Sequence, residues 1–205
     1  MHKIYIETTN PDKGKKTNEY RFFEYLLNLL ELQVQIIGIG GKERLKDFDN
    51  DLKDTTKSGF KNLVIIDADG NWNTKNWSFE SEKKKITDLK KELGVEFELF
   101  LMPNHEIMGD FETLLEVIVH QDHKRVIECH TQFEQCIEKY EGYVTPNRKA
   151  RMYSYITSFK RSQKENEKFK NEGNWFFSDE SLWDFSVDEL KPLKTFILSL
   201  TKKLV

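Results

Sequence analysis

The densest chemistry in this chain lies in the stretch Asn62-Leu63-Val64-Ile65-Ile66-Asp67-Ala68-Asp69-Gly70. Two carboxylates flank one small residue, directly after four apolar residues of which three are β-branched. Such a run reads as a strand buried on both faces. Alternate residues of a strand share a face, so Asp67 and Asp69 can lean the same way as the chain leaves the sheet. Two close carboxylates repel unless a cation or a shared proton relieves them. Oxygen-only donors of this kind suit Mg²⁺ or Mn²⁺ better than zinc. The competing reading is a turn with two solvated aspartates, and the elements around the pair decide between them.

Those elements alternate. Ile4-Tyr5-Ile6 reads as a first strand ending at Glu7, and Val34 to Ile39 as a second, stopped by Gly40-Gly41. The opening stretch is the third, and Phe97 to Met102 the fourth, ending at Pro103-Asn104. Between them lie a helix from about Thr17 with Phe22, Phe23, Leu26 and Leu27 on its apolar face, a weakly periodic helix from Lys42 to Lys57, and a helix capped by Ser78 and stopped by Gly94. Strand and helix in alternation predict an α/β fold, with a mostly parallel, Rossmann-like four-stranded sheet flanked by helices. Ligands of open α/β sheets collect at the carboxyl ends of the strands. There Glu7, Asp67 and Asp69 could meet Glu112 of Gly109-Asp110-Phe111-Glu112, which opens the next helix.

From Asp110 onward the pattern is helical only. Phe111, Leu114, Leu115 and Ile118 make one apolar face; Val126, Cys129, Phe133, Cys136, Ile137 and Tyr140 make another; Met152, Tyr153, Ile156 and Phe159 a third. A polar, lysine-rich piece follows from Lys160 to Gly173, and a last helix begins at about Leu190. The expected organisation is an α/β core over residues 1–120, with a helical C-terminal extension over 121–205 packed on it.

Composition narrows the function classes. Charged residues make up 33% and hydrophobics 38%, yet 15 Phe, 7 Tyr and 4 Trp argue for a real core. The formal net charge of −3 excludes a global electrostatic funnel for nucleic acid, so such binding would need a local basic patch or a metal. No apolar run approaches the roughly 20 residues that span a bilayer. Met1 to Ile6 reads as a strand and not as a signal peptide. Two cysteines in that context predict reduced thiols in a cytoplasmic protein.

The order and placement of these motifs resemble a Toprim domain, the α/β module of topoisomerases, primases and certain nucleases. Within that superfamily the chain resembles the stand-alone Toprim-like DUF3226 family, related to nucleases of the overcoming-lysogenization-defect and DUF4435 type. The residues that carry the resemblance are Glu7, Gly40-Gly41-Lys42, Asp67-Ala68-Asp69, Leu101-Met102-Pro103-Asn104 and Gly109-Asp110-Phe111-Glu112-Thr113-Leu114-Leu115. Lys149-Ala150-Arg151-Met152-Tyr153 and Leu190-Lys191-Pro192-Leu193 add to it. The chain departs from the superfamily pattern after Glu7, where Thr8-Thr9-Asn10-Pro11-Asp12-Lys13-Gly14 replaces a short glycine-led turn.

The resemblance implies a Mg²⁺-dependent (or Mn²⁺-dependent) phosphodiesterase acting on DNA or RNA. Asp67 and Asp69 would hold the metal, with Glu7 as a further ligand or as the acid/base of the reaction. Glu112 would complete a second metal position, with Asp110 the lesser candidate. Lys13 and Lys42 could contact phosphate. The resemblance also implies a role in phage defence beside an ATPase partner. The chain itself has no Gly-x-x-x-x-Gly-Lys-Ser/Thr loop. A homo-oligomer is possible. The alternative is a non-catalytic module whose helical C-terminus docks a partner. A receiver-like phosphoacceptor fold fits less well, because Pro103-Asn104-His105 does not supply the lysine that such folds place after the last strand.

Other features read as structural. His120, His123, Cys129, His130 and Cys136 resemble a zinc-ligand cluster, but the cysteines fall on the expected apolar face of one helix, where free cysteine packs as a small hydrophobe. Trp72 and Trp77 are expected to cover the loop that bears them. Arg148, Lys149, Arg151, Lys160 and Arg161 read as a solvated basic face.

Overall fold

Four short apolar runs form one sheet. The computed structural model describes residues 1–11, 15–68 and 77–201. In it β1 (Lys3–Ile6), β2 (Gln35–Gly38), β3 (Asn62–Asp67) and β4 (Glu98–Met102) lie in the order β2-β1-β3-β4, all parallel. The central strands are buried throughout their apolar stretches, as parallel strands covered on both faces must be. Ile6 pairs with Gly38 on one side and Ile65 on the other, so Glu7 and Asp67 leave the sheet at the same edge.

Eight α-helices occur among the described residues: α1 (Asn18–Leu29), α2 (Asp49–Lys57), α3 (Phe79–Leu93), α4 (Phe111–Ile118), α5 (Lys124–Ile137), α6 (Arg148–Thr157), α7 (Gln163–Glu172) and α8 (Lys191–Leu198). The period of two along each strand sorts the core into two layers. Ile4, Ile6, Leu63 and Ile65 face α1, α4, α6 and α8, while Tyr5, Val64, Ile66 and Leu101 face Leu45, Leu52 of α2 and Ile86 of α3. Local signals place the helix ends. The Thr17 hydroxyl caps α1 by accepting from the Tyr20 amide, Ser78 and Ser81 form a capping box on α3, and Gly94 ends α3 in the left-handed conformation.

Four expectations are corrected. The helix expected over Lys42–Lys57 is a 3-10 segment, Lys42–Phe48, followed by α2, with the backbone leaving helical geometry at Phe48. Leu45 and Leu52 are buried, but they are too sparse an apolar stripe to hold one continuous helix. The apolar face expected on α5 is mostly open to solvent: Cys129 and Cys136 are exposed, and Phe133 and Tyr140 are 50% and 60% exposed. What α5 buries is Glu134, whose carboxylate pairs with Arg151 of α6. Arg151 also bonds Glu116 of α4 at 2.8 Å, so it joins three helices and is not part of a solvated basic face. Tyr153, placed with the apolar face of α6, is likewise exposed.

The C-terminal helices share the core of the sheet. Met152, Tyr155 and Ile156 of α6, Trp175, Trp183, and Leu193 and Ile197 of α8 belong to the same buried cluster as Ile4 and Ile65. Among the described residues, no helix is long and apolar enough to cross a membrane.

Candidate acidic site at the carboxyl edge of the sheet

The site is built where β1 and β3 end. After Glu7 the chain folds back across β2: the Gly41 amide donates to the Glu7 carbonyl at 2.7 Å and the Gly40 amide to the Thr8 carbonyl at 2.8 Å. This crossing requires glycine at position 38. A Cβ there would stand 2.4 Å from the Thr9 carbonyl carbon and 2.5 Å from the Asn10 amide nitrogen. The Thr8 hydroxyl then donates to the Thr17 hydroxyl at 2.8 Å, which pins the end of β1 to the start of α1.

Glu7 turns toward β3, where its Oε2 accepts from the Asp67 main-chain amide at 3.2 Å. Asp67 is the last residue of β3. The backbone just beyond it is held from the α3 side. Trp77 donates its indole N–H to the Ala68 carbonyl at 3.3 Å, and its ring faces the Lys42 ammonium at 5.3 Å. That ammonium lies 3.4 Å from the Asp67 carbonyl oxygen and 3.0 Å from the fully buried Glu82 carboxylate. Lys42 is therefore anchored beneath the end of β3. Asp69, Lys13 and Trp72 lie outside the described residues.

Glu112 arrives from the first turn of α4. Asp110 caps that helix, its Oδ1 accepting from the Thr113 amide at 2.7 Å and hydroxyl at 2.6 Å, while Oδ2 accepts from Arg148 at 3.1 Å. Both oxygens of Asp110 are thus engaged in structure. Gly109 lets the chain enter α4, since a Cβ there would meet Pro103 Cδ at 2.8 Å.

Asp67, Glu112, Thr8 and Trp175 line a cavity of about 640 Å³. Arg148 and Lys149, in the first turn of α6, form a basic wall of the same cavity. The cavity also holds an acid that sequence reasoning missed. Glu19 stands in the first turn of α1; its Oε1 is closed off from solvent and has no hydrogen-bond partner. Burial pushes its carboxyl up to about 8, and the negative charges of Glu7 and Glu112 add to the rise; the Glu7 amide and Lys149 oppose it. The sequence signal was only an acid in the first turn of a helix, which is the ordinary pattern of a solvated acid favoured by the helix dipole.

The structure brings Glu7, Asp67 and Glu112 to one edge, joined by Glu19. Their donors are all carboxylate oxygens, and the buried, unpartnered Glu19 Oε1 suits a hard divalent cation. No three Asp, Glu, His or Cys residues among those described are already gathered tightly enough to hold a metal ion. Away from this edge, the His120 ring accepts from the Asp122 amide and His123 packs edge-on against Phe159.

Comparison with known proteins returns no curated protein and no solved structure that matches the chain. One family model does match, over residues 17–202, and it is described as a protein of unknown function, DUF3226. That match spans α1 to the end of the described helices, including Glu19, Asp67, Glu112 and the basic wall; the chain belongs to the DUF3226 family.

Proposed function

We propose that the chain is a Mg²⁺-dependent phosphodiesterase of Toprim type that cleaves DNA or RNA. The observation that carries this reading is that Asp67 and Glu112, from two separate elements, line one cavity on the carboxyl edge of a parallel sheet, with the Glu7 carboxylate on the Asp67 amide beside it. The strand order, with β1 and β3 adjacent at the centre, supports the Toprim assignment.

When bound, a divalent cation neutralises charge at a scissile phosphate and lowers the pKa of an attacking water. Asp67, together with Asp69, would hold that cation. The Asp67 amide donates to Glu7 and aims that carboxylate at the end of β3, where it serves as ligand or as proton acceptor. Glu112 supports a second cation position. Lys149 and the amino end of α6 attract the phosphate from the opposite wall. Lys42, anchored on Glu82, holds the end of β3 at the Asp67 carbonyl and so acts on the site through the backbone. Nucleic acid is the partner class that follows, and an ATPase partner in phage defence is the setting that the superfamily resemblance supports.

The test is incubation of the purified chain with plasmid and with tRNA, in Mg²⁺ or Mn²⁺. Metal-dependent cleavage that Asp67→Ala abolishes supports the reading; cleavage that persists in Asp67→Ala refutes the mechanism. A second reading, a non-catalytic interaction module, is favoured by a separate observation. Tyr140, Tyr143 and Val144, in the connection between α5 and α6, are 60%, 70% and 89% exposed. Apolar exposure on that scale marks a surface that a partner protein could cover. If the chain cleaves neither plasmid nor tRNA, loss of partner capture on alanine substitution at these three positions would assign them to docking.

A further inference from the structure

The Glu7 amide donates to the Glu19 carboxyl group, but that single bond leaves its second oxygen, Oε1, without a donor. Other acids of this region have donors: Asp110 takes Thr113 and Arg148, Glu116 takes Arg151, and Glu7 takes the Asp67 amide. Glu19 Oε1 has none and is sealed from water. Buried polar atoms are almost always satisfied, so an orphan of this kind calls for a ligand. Its neighbours make the deficit worse, because Glu7 and Glu112 carry the same sign, opposed among the described residues by Lys149. A residue serving α1 alone would gain more by facing solvent at the helix amino end. Glu19 instead faces the cavity.

The ligand class follows from the donors. The negative groups acting on Glu19 are the carboxylates of Glu7 and Glu112, and no thiolate or imidazole lines the cavity among the described residues, which selects a hard cation over zinc or copper. We propose that Glu19 is a ligand of a hydrated divalent cation, Mg²⁺ or Mn²⁺, held beside Glu7 on the α1 side of the cavity. This rests on the reading of the cavity as a cation site and adds to it a residue from α1. Lys149, on the facing wall, then meets the anionic group that the cation carries.

The test is a calorimetric titration of Mn²⁺ into the full chain, as wild type, Glu19→Gln and Asp67→Asn, with melting of each in chelator. Glu19→Gln keeps the shape and removes a titratable group that the folded chain must hold among like charges, so it should melt at or above wild type without metal at pH 8. Its Mn²⁺ affinity should fall by about tenfold or more, since even outer partners of a bound metal cost about 10–100-fold when lost. Wild-type binding with unchanged affinity in Glu19→Gln overturns the role of Glu19 and leaves the cation site standing. No Mn²⁺ binding by wild type overturns the cation site itself, and Glu19 with it. A lower melting point with unchanged affinity assigns Glu19 a structural role and also overturns the proposal. If Glu19→Gln does not fold, Glu19→Asp, which withdraws the carboxylate by one methylene, decides on the same readout.

Discussion

Asp110 and Glu112 are neighbours on the same helix start, yet the fold employs them differently. Asp110 is consumed by Thr113 and Arg148, whereas Glu112 reaches the cavity and acts on Glu19. Glu19 gives this cluster a signature in pH. Its folded pKa is raised to about 8 from an ordinary value of 4.5, so the folded state keeps a proton that the unfolded chain has released. Its contribution to stability is full below about 4.5 and is lost as pH rises through about 8. The groups facing it are Glu7, Glu112 and Lys149. His2 and His105 work in the opposite sense, because burial lowers their pKa values and stability gained from them grows as pH rises. The difference between wild type and Glu19→Gln isolates the effect. In chelator, urea melts should show wild type losing stability relative to Glu19→Gln between pH 5 and 8; a pH-independent difference contradicts the burial of Glu19 among like charges. The sequence made Glu7 and Asp67 legible because acids that end apolar strands of one polarity must share an edge. Glu19 was illegible because an inward and an outward acid in a first helical turn look the same in one dimension.

At the scale of elements, the ion pairs decide how the helices sit. Lys42 and Glu82 tie the start of the 3-10 segment to α3, and Glu82 is fully buried. Replacing Lys42 with Met leaves that carboxylate buried without its cation, at a cost of about 3–5 kcal/mol. Lys42→Met combined with Glu82→Leu should recover most of the loss, as apolar replacement of a buried pair usually does. Chemical denaturation of the two variants beside wild type checks this; equal stability of Lys42→Met and wild type contradicts the pairing. The sheet and the α1, α3 and α4 boundaries were readable from apolar period and caps. The face of α5 was not. Its apolar residues recur at helical spacing, but Arg151 draws Glu134 inward and turns Phe133 and the cysteines outward. That choice depends on a partner on α6, and single-helix periodicity carries no information about it.

For the molecule as a whole, the apolar core runs through both proposed parts. Trp183, Tyr155 and Ile197 pack in one cluster with Phe22 and Ile65, and the Tyr155 hydroxyl donates to the Leu182 carbonyl at 2.6 Å. Val119 and Trp183 are joined by an antiparallel bridge across the expected boundary near residue 120. A fragment of residues 1–120 would expose the α1 and α4 faces of the sheet layer. It should therefore lack the single cooperative thermal transition expected of the full chain. A fragment that melts cooperatively with native-like near-ultraviolet dichroism contradicts the shared core. The same continuity brings α6 to the cavity, so the basic wall of Arg148 and Lys149 belongs to the site although it lies in the helical segment.

The central claim is that the acids at the carboxyl edge form a divalent-cation site. Mn²⁺ titration of the full chain, beside Asp67→Ala, tests it without any substrate or partner. Saturable binding by wild type that Asp67→Ala abolishes is the expected result. Absence of binding, or binding that survives in Asp67→Ala, contradicts the claim.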